Sequence, residues 1–86
     1  MLYVVSYDLH KPARNYEELF KALRSYGTYS HCLESTWLIS SDKSASVISN
    51  HLRTKLDDDD SLLVIRATKN YAGWLPQKIW TWLSRR

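Results

Sequence analysis

Asp8 closes a short apolar run, Tyr3-Val4-Val5-Ser6-Tyr7, and His10, Lys11 and Arg14 follow it closely. A carboxylate where a strand ends is a common place for oxygen-based chemistry. Mg²⁺ takes oxygen ligands and usually only one or two carboxylates, leaving the rest of its shell to water and substrate phosphate. Asp8 is therefore the candidate catalytic and metal-binding residue; its plainer role would be to bond backbone N–H groups in the loop that follows. His10, Lys11 and Arg14 lie just before an expected helix start, where side-chain charge and free N–H groups both favour a phosphate. They are candidate nucleic-acid contacts, and His10 can carry a proton near neutral pH. Simple solvation is the competing reading for such a loop.

Other groups carry less. His31-Cys32 suggests a metal site, yet a structural zinc needs four ligands at recognisable spacing and Cys32 is the sole cysteine, so core packing is the better reading. Asp57 to Asp60 lack the glycine and the spaced ligands of a calcium loop and read as a solvated connector, although acidic residues sit awkwardly after a helix C-terminus. Trp74, Trp80 and Trp82 can stack on bases, and Arg85 with Arg86 can meet phosphates. Their spacing fits core or dimer packing better. Trp37 has the same ambiguity, because strand aromatics are ordinary core residues.

The elements that must position these groups follow from periodicity. Residues 2–9 alternate as a strand with apolar groups on both faces, which suits a central position in a sheet. Asn15 with Glu18 forms a variant capping box for a helix from Tyr16. Tyr16, Leu19, Phe20, Leu23 and Tyr26 share its stripe, and Gly27 ends it as a C′ glycine. Strands are expected over residues 29–33 and 36–40, with a bend, bulge or tight hairpin at Glu34-Ser35. Asp42 or Ser44 caps a second helix that carries Ala45, Ile48, Leu52 and Leu56 inward, with Val47 broadening the stripe, and ends near Leu56. Leu62-Leu63-Val64-Ile65 reads as a strand buried on both faces. Pro76 opens a short tryptophan-rich helix that closes on Arg85 and Arg86.

A βαββαβ order with right-handed crossovers gives an α+β, ferredoxin-like sandwich. Its antiparallel sheet has four strands with two helices on one face, and a C-terminal tryptophan-rich segment follows. The core spans about 2–68 and the packing segment about 69–86 of a single domain, 1–86. Such a sheet leaves one face uncovered, while the first and last strands are apolar on both sides. Three covers are available: a second copy, the folded-back tail, or nucleic acid stacked on aromatics. A second copy helped by the tail fits best, since Leu62 to Thr68 lack the aromatic signature of an RNA-recognition module.

The totals agree with a small globular domain. At 86 residues it buries only about 60% of its unfolded surface, so association is a natural way to complete the core. The composition, 44% apolar and 13% aromatic with two glycines and two prolines, excludes a disordered chain. A net charge of +3 is compatible with a polyanionic partner but far below that of a DNA-coating protein. The lone cysteine, and the lack of a membrane-length apolar run or a signal sequence, point to a cytoplasmic protein with no membrane partner.

The strand ending Tyr7-Asp8-Leu9, the helix closing on Tyr26-Gly27, the Glu34-Ser35-Thr36-Trp37 element and the late apolar strand together resemble the second universal CRISPR-associated protein, the small spacer-acquisition subunit. They are equally similar to its relative, the virulence-associated D-type ribonuclease, and closest to short bacterial proteins labelled SinR-like. The likeness covers roughly residues 2–68. It implies a ferredoxin-like homodimer that binds RNA or DNA and possesses the elements of a Mg²⁺-dependent endonuclease. By this resemblance Asp8 matches the aspartate whose two copies meet across the dimer and hold Mg²⁺, with Tyr7 before it, and Ser35 and Trp37 match the Ser-x-aromatic element. Glu17 and Glu18 stand where the family often carries arginines, with Arg14 the nearest substitute, and no long C-terminal docking strand is evident. A non-catalytic dimeric interaction module is the alternative function.

Overall fold

The computed structural model describes residues 1–11 and 16–86. Its elements are β1 (Leu2–Asp8), α1 (Glu17–Arg24), β2 (Thr28–Leu33), β3 (Thr36–Ser40), α2 (Ala45–Arg53), β4 (Ser61–Ala67) and α3 (Gln77–Ser84). The sheet order is β2-β3-β1-β4, every neighbouring pair is antiparallel, and β1 is central. Since β1 and β2 run the same way with β3 between them, and β3 and β4 run the same way with β1 between them, two split βαβ units interleave. This is the expected ferredoxin-like α+β fold.

Alternation along β1 divides the molecule into two apolar layers. Tyr3, Val5 and Tyr7 point into the main core with Trp37 and Ile39 of β3, Leu19, Ala22 and Leu23 of α1, and Ile48 and Leu52 of α2. Leu2 and Val4 point the other way, into a smaller cluster with Leu38, Cys32, Ile79 and Leu83. Both faces of β1 are thus used, as its two apolar faces require. The cover on the second face is the chain's own tail: Pro76 precedes α3, and the i, i+4 pair Ile79 and Leu83 seats that helix on the sheet.

Local signals mostly operate as expected. Ser44 caps α2 by accepting the Val47 N–H at 3.2 Å, whereas α2 ends at Arg53 and hands over to tight turns before Leu56. Val47 does not broaden the buried stripe; it is exposed. Gly27 takes φ +81° and turns the chain from α1 into β2, a conformation that favours glycine. Tyr16 occupies the position before α1 without a side-chain cap; the expected cap at Asn15 lies outside the described residues. Residues 34 and 35 make a tight hairpin, and the β2–β3 register also shifts between Ser30 and Leu33.

The last strand departs from expectation. β4 is an edge strand, not a strand buried on both faces: Leu62 and Val64 pack on the main core, but Leu63 is 59% and Ile65 53% exposed. The second cluster draws on β1, β2 and β3, so the half of that face formed by β4 stays open. A continuous apolar run does not distinguish a central strand from an edge strand awaiting a cover.

The connector Asp57 to Asp60 is more than a solvated link. Asp60 is half-buried and accepts the His10 N–H at 2.9 Å, the Tyr16 hydroxyl at 2.9 Å and the Asp57 N–H at 2.8 Å. Burial and the Asp60 hydrogen bond hold the Tyr16 hydroxyl above the ordinary tyrosine range. One carboxylate therefore fastens the loop after β1, the start of α1 and the turn before β4. Asp60→Ala strands three donors at once and should cost about 2–4 kcal/mol of stability, read as a lower denaturant midpoint at unchanged m-value; an unchanged midpoint would mean water replaces the carboxylate.

Candidate functional site

Asp8, His10, Lys11 and Ser35 all lie at one end of the sheet. Asp8 is the last residue of β1 and pairs with Ser61, the first of β4. The ladder continues on the other side, where the Tyr7 N–H donates to the Ser35 carbonyl at 3.1 Å, which brings the β2–β3 turn beside Asp8. His10 curls back so that its Nε2 sits 3.2 Å from Asp8 Oδ2, and Lys11 Nζ lies 3.4 Å from Asp59 Oδ2. Arg14 lies outside the described residues.

The orientation of Asp8 matters more than its neighbours. It is in phase with Leu2, Val4 and Ser6 on β1, so it belongs to the sheet face opposite α1 and α2. Its side chain is 73% exposed. Ser6, Asp8, Ser61 and Leu63 line a shallow depression of about 240 Å³ beside the open strip of β4. Among the described residues nothing engages this carboxylate beyond its exposed contact with His10, which is worth at most about 1 kcal/mol.

Among the described residues no three His, Cys, Asp or Glu side chains converge as a ligand set. The donor set suits Mg²⁺ only as half of a site, one exposed carboxylate per chain, because that ion needs one or two carboxylates and fills its remaining positions with water and phosphate.

Trp37 is placed differently from a surface contact. It is 2% exposed; His31 stacks on it at 4.2 Å between ring centroids and Phe20 at 6.0 Å. Its Nε1 donates to the Tyr7 hydroxyl at 3.0 Å. Burial raises the Tyr7 hydroxyl above the usual tyrosine range, although the Trp37 bond opposes the shift. With no ring face open to a base, Trp37 is a core residue that anchors the strand carrying Asp8. Cys32 lies under α3, where burial pushes its thiol up and away from nucleophilic character.

The three tail tryptophans divide between the two readings. Trp80 and Trp82 pack against the second cluster, but Trp74 is 99% exposed and belongs to no core. The open strip at Leu63 and Ile65 and the partnership of Asp8 with Ser61 went unread in the sequence. The sequence carries no signal for either, because Leu62 to Ile65 is a continuous apolar run and only the fold sorts Leu62 and Val64 from Leu63 and Ile65.

No helix among the described residues is long and apolar enough to cross a membrane. No protein-family model matches the sequence and no curated protein is significantly similar to it, so the resemblance drawn above rests on the motifs that carry it.

Proposed function

We propose that the protein is a homodimeric nucleic-acid-binding protein in which two copies meet across the open half of the second sheet face. Their paired Asp8 carboxylates then hold Mg²⁺ for phosphodiester cleavage. The observation that carries this reading is that Asp8 shares the uncovered face with the exposed side chains of Leu63 and Ile65. An apolar strip ending in a carboxylate, related to itself by a two-fold axis, places apolar groups against apolar groups and brings two carboxylates together.

Mg²⁺ bound there would polarise a phosphoryl oxygen and sharpen the nucleophilicity of a bound water. The chain's own contribution is positional. Asp60 fixes the backbone of His10, and the imidazole, whose Nε2–H faces the Asp8 carboxylate at 3.2 Å, keeps its other ring nitrogen, Nδ1, to accept or return a proton. Ser61, opposite Asp8 on β4, offers a hydroxyl at the same depression.

The interface supplies the test. The double variant Leu63→Glu/Ile65→Glu puts four carboxylates into the dimer seam and should raise the dimer dissociation constant at least a hundredfold, since each buried aliphatic contributes about 1.5–3 kcal/mol. Light scattering reads the shift to monomer. Mg²⁺-dependent cleavage of RNA or DNA oligonucleotides should disappear with it; a variant that stays dimeric, or cleaves as a monomer, contradicts the reading.

One observation favours a second reading, a non-catalytic dimeric docking module. Glu17, Glu18, Glu34 and Asp57 to Asp60 crowd the same end of the sheet as Asp8, and this acidic surround opposes a polyanion. A dimer that binds no oligonucleotide at low ionic strength would decide for that module.

A further inference from the structure

The charge of this chain is split along its length. All nine Asp and Glu residues precede Ser61, while Arg66, Lys69, Lys78, Arg85 and Arg86 all follow it. In the fold, Lys69 and Arg86 line, with Tyr71, a depression of about 290 Å³ at the end of the sheet opposite Asp8, and Arg66, which pairs with Tyr3 and so starts from the other face of the edge strand β4, stands at its rim. Among the described residues neither Arg66 nor Lys69 has a carboxylate at ion-pair distance. Arg86 lies 4.2 Å over the Trp82 ring, which aligns its guanidinium without neutralising it.

Aromatic rings stand beside these cations. Tyr71 lies beside Trp80, at 6.4 Å and 22° between planes, and is 42% exposed. Trp74, on the same connection into α3, exposes its whole side chain. A bare indole a few residues from a cluster of unpaired cations matches the two requirements of single-strand recognition: cations for the backbone and ring faces for the bases. Duplex DNA would leave the rings unused, because its bases are already stacked. A second copy of this chain would bring a like-charged surface against this one.

We infer that the basic and aromatic surface formed by Arg66, Lys69, Tyr71, Trp74 and Arg86 binds single-stranded nucleic acid. The phosphates lie against the three cations and bases stack on Trp74 and on the exposed part of Tyr71. This site is separate from the His10 and Lys11 loop and shares with the proposed function only the premise of a nucleic-acid ligand. It resolves the conflict at the other end of the sheet: the strand is gripped where the molecule is positive, and the acidic end near Asp8 need not hold it.

Fluorescence anisotropy with labelled single-stranded RNA and DNA oligonucleotides, a duplex of equal length and heparin tests the inference. The full-length protein should bind the single strands more tightly than the duplex, with log affinity falling against log salt at a slope of about −2, as three phosphate contacts on a single strand require. Arg66→Ala/Lys69→Ala/Arg86→Ala should flatten that slope and remove most of the binding. Trp74→Ala should weaken binding by roughly 5- to 100-fold at unchanged slope, the loss expected for one base stack; its side chain packs on nothing, so its fold is not at risk. Lys21→Ala, on the exposed face of α1, should bind as the wild type does. Wild-type affinity in the triple variant would overturn the inference while leaving the Asp8 reading standing. Equal affinity for heparin together with no effect of Trp74→Ala would overturn it too, as would tighter duplex binding. Failure of the wild type to bind any oligonucleotide at low salt would overturn both.

Discussion

Asp8→Asn should reduce Mg²⁺-dependent cleavage by about 10²–10³-fold or more while leaving the fold and the dimer intact. The expected size follows from the job assigned to the carboxylate: Lewis-acid assistance by a bound metal supplies several kcal/mol at the transition state, and each 1.4 kcal/mol is about tenfold in rate. The expected innocence toward folding follows from the surroundings. Asp8 is 73% exposed and its partner His10 is also at the surface, so their pair contributes no more than about 1 kcal/mol. Asparagine keeps the shape and loses the charge that a hard cation demands. Removing the acid also removes charge repulsion between the two copies in metal-free protein, so dimerisation without Mg²⁺ should be equal or tighter in the variant. Undiminished cleavage in highly purified Asp8→Asn protein would remove Asp8 from the chemistry.

Trp37→Ala should cost about 3–5 kcal/mol, the range for deleting a large buried aromatic. Three losses combine there: the ring that fills the centre of β3, its stacking on His31 and Phe20, and the donor to the Tyr7 hydroxyl. That cost is a large fraction of the stability of a small domain, and thermal or chemical unfolding measures it. Tyr7→Phe isolates the polar part: the buried indole N–H loses its acceptor, at about 1–3 kcal/mol. The pair of variants separates a core tryptophan from a nucleic-acid-stacking one, because a stacking residue at the surface would weaken binding without moving the unfolding midpoint.

The contrast between Trp37 and Trp74 shows how far a sequence carries its reader. Both stand in apolar surroundings in the chain, yet one is buried and the other bare. Trp37 alternates in phase with Ile39 on a strand, and that phase places it in the core. Trp74 precedes Pro76, outside the i, i+4 stripe of α3, and no periodicity fixes it. The elements themselves were legible because their signals are local: the period of α1, the Ser44 cap, the Pro76 start and the polar turn at Glu34-Ser35. Asp60 was not, since its partners His10 and Tyr16 are distant in sequence and only the closed fold brings them to one carboxylate.

The candidate site divides in the same way. Asp8 at a strand end could be read from the sequence, as could its neighbours His10 and Lys11. Which sheet face Asp8 occupies depends on the phase of β1 against β3 and β4 and on where α3 lands, and these are tertiary outcomes. The exposed strip of β4 follows from the same placement, because α3 covers the side of the second face nearer β2 and β3. The anticipated cover by the tail and the anticipated cover by a second copy therefore fall on different halves of one face. The tail takes its half within the chain, and the other half is the one the proposed dimer would use.

Two open sheet faces that bring two Asp8 carboxylates together would be seen at once in a crystal structure of the protein grown with Mg²⁺. The account predicts a two-fold dimer with Leu63 and Ile65 buried in the seam and Asp8 carboxylate oxygens of the two copies about 3–4 Å apart, the spacing that one octahedral Mg²⁺ imposes at metal–oxygen distances of about 2.1 Å. A monomer with Leu63 and Ile65 still open to solvent, or a dimer that holds the two carboxylates more than about 10 Å apart, too far for one ion to bridge, would contradict it.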